Sequence, residues 1–362
     1  MKILYIYPQQ RMNSSSGGGV VHKRNYRVLC DLLGVHNVIC YPIYRKGSTN
    51  QIRMFFDDII AAGFGGLTIQ DKRNIVESIK DNDIKFVFID SSMFGGLVGY
   101  IKKRVNVRTV VFFHNVEYDF WKRQIQLERS YTHSYRIPLA YYNEKKALGK
   151  SDMIVTLTPK DSNRLYALYG RNADQIIPVT MKGDSIKVDE SRDYTSPLNI
   201  LFFGSNFPPN IEAAEIIIKQ ILPKINAHIT IAGNGMDVLA CKYNNTEQLK
   251  IMGFVNDVSE LYNESDVILL PIFSGSGMKV KTAEALGYGK NIIASSNALE
   301  GYEIEGIPGI FRCDTVDDFV KTINSYDTSL PRFNTESRNK FMSKYSYESS
   351  ESAFKEMIVN LQ

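Results

Sequence analysis

Two lysines and a glutamate that follow a glycine-serine turn are the residues of this 362-residue chain best suited to chemistry. Residues 271–286 read PIFSGSGMKVKTAEAL. The apolar run Val267–Leu270 empties into Gly275, Ser276 and Gly277, and a helix is expected from about Met278. Free amides at a helix start, behind small residues, can hold a diphosphate, and Lys279 and Lys281 add positive charge beside it. Glu284 lies roughly two turns along that helix, where a carboxylate could accept both hydroxyls of a ribose. The plainer alternative is a solvated helix start, although cations are slightly unfavourable at that end.

A second loop, Ser14-Ser15-Ser16-Gly17-Gly18-Gly19, precedes a helix expected from about Val20. Its glycines would let backbone amides approach an anion. It is neither GxGxxG nor followed by a Walker lysine, and an ordinary serine-capped turn explains it equally well. The third feature is His114-Asn115-Val116-Glu117-Tyr118, directly after an apolar run. A histidine at a strand end is either a packed structural residue or, beside Asn115 and Glu117, a functional one; its ordinary pKa would suit a general base, but a positioning role is the preferred expectation. His22, His36, His133 and His228 have no partner at ligand spacing. Cys30, Cys40, Cys241 and Cys313 form no CxxC pair, and Asp57-Asp58 lacks further ligands. No metal site is expected, and the cysteine usage fits a reducing cytoplasm.

The elements that must position these residues alternate along the whole chain. Strands are expected at Ile3–Tyr7, Val38–Ile43, Phe86–Asp90, Thr109–Phe113 and Met153–Thr156, with helices at Val20–Leu33, Gly95–Arg104 and Tyr118–Lys150. The polar stretch Lys182–Pro197 interrupts the rhythm. A second series then supplies strands at Asn199–Phe203, Ile229–Ala232, Leu249–Met252, Val267–Leu270 and Asn291–Ala294. Helices of that series are expected at Glu212–Leu222, Val258–Ser265, Lys279–Tyr288 and Thr335–Asn360. Such alternation predicts the α/β class: two doubly wound, Rossmann-like domains facing a cleft, with ligands beyond the carboxyl ends of the strands. The boundaries expected are residues 1–182, a linker over 183–197, and 198–344, with a terminal helix at about 345–362 packing back onto the first domain.

Composition narrows the function classes. Apolar residues make up 44% and charged residues 23%, which excludes disordered and fibrous chains. No apolar run reaches the roughly 18 residues that span a bilayer, and MKILYIYPQQ is too short in its apolar part for a signal peptide and reads as a first strand. Residues 1–182 carry 27 Lys and Arg against 15 Asp and Glu; the rest carry 16 against 24, giving +12 and −8 and the overall +4. A basic first half suits an anionic surface. No aromatic-basic platform for nucleic acid is visible.

Residues 204–295 contain GSNFPPN, IAGNG, GFVND, SDVILLP and GSGMKVKTAEALGYG in that order. In these motifs the chain resembles the donor-binding domain of GT-B-fold, family 4-type retaining glycosyltransferases (glycosyl transferases group 1), and HNVE at 114–117 resembles a pattern in a subgroup of that family. The resemblance implies a retaining, metal-independent transfer from a nucleoside diphosphate sugar, UDP- or GDP-linked and used as substrate with no further cofactor. The acceptor would be a hydroxyl of a glycan or lipid-linked molecule, in bacterial surface polysaccharide or glycoconjugate synthesis. It places Gly253, Phe254 and Val255 at the base, Glu284 at the ribose, and Lys279, Lys281, Ser276, Gly277 and Met278 at the diphosphate. Gly204 and Ser205 belong to the same donor site, and Gly18 would reach the phosphate from the other domain. His114 would contact the donor sugar, and Asn115 and Glu117 are acceptor candidates. Ser276 stands where many members have the first glutamate of Glu-x7-Glu, and Phe207-Pro208-Pro209-Asn210 replaces their Arg and Lys. The expected location is the cytoplasm, peripheral on the inner face of the plasma membrane, with Lys102-Lys103-Arg104 and Lys122-Arg123 towards anionic lipid. A nucleotide-sugar 2-epimerase and a non-catalytic glycosyltransferase-like partner protein are the competing readings.

Overall fold

The computed structural model describes residues 1–13, 17–44, 51–60, 66–128, 133–183, 197–275 and 277–361; the side chains of 51–54, 57, 127 and 128 lie outside the description. The chain divides into two compact units, Met1–Pro178 with Ser350–Gln362, and Val179–Ser349. Most of the stretch expected as a linker, and Ser276, lie outside the described residues.

Six parallel strands build the first unit: β1 (Ile3–Pro8), β2 (Val38–Ile43), β3 (Phe86–Ile89), β4 (Arg108–Phe113), β5 (Met153–Thr156) and β6 (Gln175–Ile176), in spatial order β2-β1-β3-β4-β5-β6. Strands β3 and β5 are buried at every position, as uninterrupted apolar runs must be when helices cover both faces of a parallel sheet. The second unit has β7 (Leu198–Phe203), β8 (Ala227–Ala232), β9 (Leu249–Ile251), β10 (Val267–Leu270), β11 (Asn291–Ala294) and β12 (Ile310–Arg312). Their order, β12-β11-β10-β7-β8-β9, is that of a Rossmann sheet. Connections change direction between β1 and β3 in one unit and between β7 and β10 in the other, so a crevice opens beyond each of those strand pairs.

Two helices expected from the sequence are corrected. Tyr118–Lys150 is a pair of helices, Glu117–Glu128 and Arg136–Lys150, and the Tyr118 ring lies 5.7 Å from that of Tyr141. A single straight helix would hold those residues about 35 Å apart. Pro138 marks the restart, because proline is tolerated in a first turn and not in a helix interior. Thr335–Asn360 likewise breaks into Thr335–Lys340, a π-helical turn Phe341–Tyr345, and Tyr347–Asn360. Ser346 between them is extended and bridges to Met181. Beyond it Phe354 stacks on Phe88 at 5.9 Å and Gln175 Nε2 donates to the Ala353 carbonyl, which ties the last helix into the first unit. The short strands β6 and β12 went unread, since two or three residues carry no periodicity.

Lys102 is not a free surface cation. Its ammonium pairs with Asp152 and donates to the Val107 carbonyl, which removes it from the basic stretch expected to face lipid. The Arg104 guanidinium lies 3.6 Å from the Tyr100 ring centroid. Among the described residues no helix is long and apolar enough to cross a membrane.

Candidate active site

In the second unit the site grows from three strand ends. After β7, Gly204 donates its amide to the Ala232 carbonyl, and Asn210 Nδ2 donates to the Ser205 carbonyl, which folds Ser205–Asn210 back over the sheet. After β8, Gly233 sits at φ +136 with its amide on the Gly253 carbonyl at 3.1 Å, so the turns after β7, β8 and β9 are stitched side by side. Gly253 opens the segment expected to meet a base. Phe254 beside it is 72% exposed, and Val255 is half-buried.

After β10, Gly275 and Gly277 both take positive φ, +92 and +73, a conformation other residues enter at a cost. The helix begins at Val280, two residues later than expected, with Lys279 as the residue before its first turn. Lys279 Nζ donates to the Gly277 carbonyl at 2.7 Å and Tyr302 donates to the Lys279 carbonyl at 2.6 Å, so this lysine fastens the turn. Met278 is buried under it. Lys281 differs. Its stem runs across Gly204, where a Cβ would meet Lys281 Cε at 2.9 Å, and its ammonium has no hydrogen-bond or ion-pair partner among the described residues. Burial lowers its pKa to about 8, against the attraction of Glu284. Glu284 accepts a hydrogen bond from Tyr262, whose ring stacks on Tyr288 at 4.3 Å. An ammonium sequestered at the β7/β10 crevice, with no hydrogen bond or ion pair among the described residues and beside a glycine turn and a helix start, suits a multiply charged anion.

In the first unit Gly18 is not in a loop: Gly17–Leu33 is one helix, and Gly18 belongs to its first turn, while Ser14–Ser16 lie outside the described residues. His114, Asn115 and Glu117 follow β4. His114 reaches Asp90, the residue just past β3, with Nε2–H donating to Oδ1 at 2.8 Å. His22, for which the sequence offered no partner, donates Nδ1–H to Asp90 Oδ2 at 2.6 Å. Asn25 Nδ2 donates to Oδ1 at 2.8 Å, and the Tyr5 hydroxyl donates to Oδ2. Burial alone would raise the Asp90 pKa, but the two imidazoles hold it far below the usual carboxylate range. These atoms of His22, Asp90 and His114 also lie within 4.8 Å of one another, a spacing that metal sites use. Here each carboxylate oxygen already takes two donors, so the cluster is complete as a hydrogen-bonded network. Asp90 was legible as a strand-end residue at the place where ligands bind. What no spacing revealed was its company.

Glu144, from the helix Arg136–Lys150, receives the amides of Glu117 at 2.6 Å and Tyr118 at 3.4 Å, and the Tyr169 hydroxyl at 2.6 Å. It thereby caps the helix that carries Glu117. Burial raises its pKa to about 8 in spite of the Tyr169 hydrogen bond, and nearby Glu117 adds to the rise. A folded-state pKa above the unfolded value of 4.5 gives a stabilisation that is complete below about pH 4.5 and gone above about pH 8. Thermal melts are expected to fall across that window. Glu144→Gln, which still accepts the Glu117 amide, is expected to flatten the fall; an unchanged slope would refute the assignment.

Residues 197–326, which contain β7 to β12 and the whole lysine-bearing turn, match the family described as glycosyl transferases group 1. The second unit is thus a glycosyl transferases group 1 domain, and the chain as a whole has the fold of GT-B glycosyltransferases. Its fold is shared by sucrose-phosphate synthase from Thermosynechococcus elongatus, with a TM-score of 0.70 at 13% identity, covering 100% of this chain and 99% of that one. HepE from Anabaena, solved in complex with UDP, gives 0.68 at 12% identity, over 99% and 100% of the two chains. The lipopolysaccharide outer core galactosyltransferase WaaB, solved in its apo form, gives 0.66 at 14% over 100% of both. No curated protein matches in sequence. At these identities the neighbours speak for the fold of the whole chain, while the family match speaks for its second unit.

Proposed function

We propose that this glycosyltransferase is a retaining, metal-independent enzyme of family 4 type. It moves a sugar from a UDP- or GDP-sugar to a hydroxyl of a glycan or lipid-linked acceptor in bacterial surface polysaccharide or glycoconjugate synthesis. The observation that supports the reading is Lys281, a sequestered amine with no hydrogen bond or ion pair among the described residues, at the β7/β10 crevice. Breaking the bond from an anomeric carbon to a diphosphate builds positive charge on the sugar and negative charge on the leaving phosphate. Lys281, Lys279 and the amides around Gly277 and Met278 stabilise that phosphate, and fixed electrostatics of this kind are commonly the largest catalytic contribution. Glu284 holds the ribose, Gly253–Val255 flank the base, Gly204 and Ser205 line the donor side, and Ser276 stands in the phosphate turn. Gly18 is a further phosphate contact. His114 meets the sugar, with Asn115 and Glu117 on the acceptor side. The acceptor hydroxyl attacks the face that the diphosphate leaves, which preserves the anomeric configuration.

That HepE has been solved with UDP, with UDP and glucose, and with UDP-glucose supports a uridine donor as the first to test. Melting of the full chain with UDP, GDP and their sugars is expected to show stabilisation by one nucleotide series, because a ligand of the folded state raises its stability by mass action. No shift with any would overturn the reading. Glu284→Ala is expected to weaken nucleotide binding about tenfold or more, the worth of hydrogen bonds to a charged acceptor, measured by titration calorimetry. The anomeric configuration of the product, read by NMR, tests retention. Transfer would take place at the cytoplasmic membrane surface, and flotation with anionic vesicles at low salt tests that placement.

A further inference from the structure

Proton placement in the Asp90 cluster decides what His114 can do. Asp90 is fully buried and takes two donors on each oxygen, from His114 and Asn25 on Oδ1 and from His22 and Tyr5 on Oδ2. A carboxylate saturated in this way is ionised and can only accept, so the imidazole nitrogens turned towards it carry protons. Neutral His114 is therefore the Nε2–H tautomer, with its lone pair on Nδ1. That Nδ1 atom is buried and has no hydrogen-bond partner among the described residues. Folded proteins leave few such atoms unsatisfied without a functional reason.

We propose that Asp90 is a positioning residue: it locks His114 in the tautomer whose Nδ1 accepts a hydrogen bond from a hydroxyl of the transferred sugar. The sugar contact rests on the glycosyltransferase reading above; the tautomer lock does not. The charged and titratable neighbours of His114 reinforce it. The helix Gly17–Leu33 presents His22, whose ring centroid is 3.9 Å away, and Arg24, and the turn after β3 presents Asp90. Burial, then His22 and Arg24, lower the His114 pKa to about 4 against the pull of Asp90. His114 consequently stays neutral at working pH. A group so far from that pH is a weak proton carrier but a dependable acceptor.

Imidazole nitrogen-15 shifts of the histidine-labelled full chain read the tautomer without substrate. Expected for His114 is a protonated Nε2 and a bare Nδ1 from pH 8 down to about pH 5. A proton on Nδ1, or an imidazolium at pH 7, would overturn the proposal. The second test uses side-chain reach: His114→Asn places a polar atom where Nδ1 was, whereas His114→Gln places one where Nε2 was. His114→Asn is expected to retain about tenfold more kcat/KM than His114→Gln, with equal nucleotide affinity. Equal activities, or the reverse order, would eliminate the acceptor role. Asp90→Asn is expected to give mixed His114 tautomers and a loss of kcat of about tenfold; if it does not fold, the wild-type shifts still decide the lock. If neither UDP nor GDP binds, the sugar contact falls with the glycosyltransferase reading, while the tautomer remains decided by the shifts.

Discussion

Lys281→Met is expected to lower kcat by about 10²- to 10³-fold, the usual cost of removing one fixed electrostatic contact to a developing anion. Methionine keeps the apolar stem that crosses Gly204, so the change isolates the charge from the packing. Nucleotide affinity should move far less than kcat, because the negative charge on the leaving phosphate grows only as the glycosidic bond breaks. The lysine's lowered pKa adds a signature: in the free protein the amine loses its proton as pH rises through about 8, so kcat/KM is expected to decline above that value. Lys279→Met should behave differently, since that ammonium is engaged with the Gly277 carbonyl and its loss loosens the turn. Steady-state kinetics on the three proteins decides the matter. A Lys281→Met enzyme with wild-type kcat would remove Lys281 from the chemistry.

Gly233→Ala is expected to cost several kcal/mol, on the order of the largest effects single substitutions produce. A Cβ at this position would lie 2.0 Å from the Gly204 carbonyl oxygen, and φ +136 is a conformation that side chains rarely enter. The obstacle is backbone, so relief requires parting the turns after β7 and β8, where the Gly204 amide holds the Ala232 carbonyl. A fall in Tm of about 10 °C is expected, at roughly 2–4 °C per kcal/mol for a unit of this size, together with loss of nucleotide binding. Gly99→Ala is the control: it lies in the helix Gly95–Lys102 with nothing near its would-be Cβ, and it should be neutral or mildly stabilising. Calorimetry showing the two variants melting alike would sink the close-approach argument.

The glycines of the second unit illustrate how legibility divides. Gly275 and Gly277 announced themselves, because glycine and serine between an apolar run and an amphipathic stretch make a local turn with a local purpose. Gly233 in IAGNG gave a motif and no reason; the reason is Gly204, 29 residues earlier, meeting it across two neighbouring strands. Strands β2, β5, β10 and β11 were read with their observed bounds, since buried parallel strands are short apolar runs whatever lies around them. The helix breaks near Glu128 and at Ser346 were missed because amphipathic periodicity continues through them. Tertiary pairings, Tyr118 with Tyr141 and Ser346 with Met181, are what interrupt it.

The sequence by itself determined the α/β class, the lysine-bearing turn and the family to which that turn points. Each depends on residues within a few positions of one another, where spacing fixes geometry. Only the tertiary structure decided that Lys281 lies against Gly204 with no ion pair among the described residues while Lys279 is engaged, and that Asp90 gathers Tyr5, His22, Asn25 and His114. Those protonation states follow from burial and from partners up to 85 positions away in the chain. A parallel sheet sets such neighbours side by side through crossover connections whose length carries no record of the meeting.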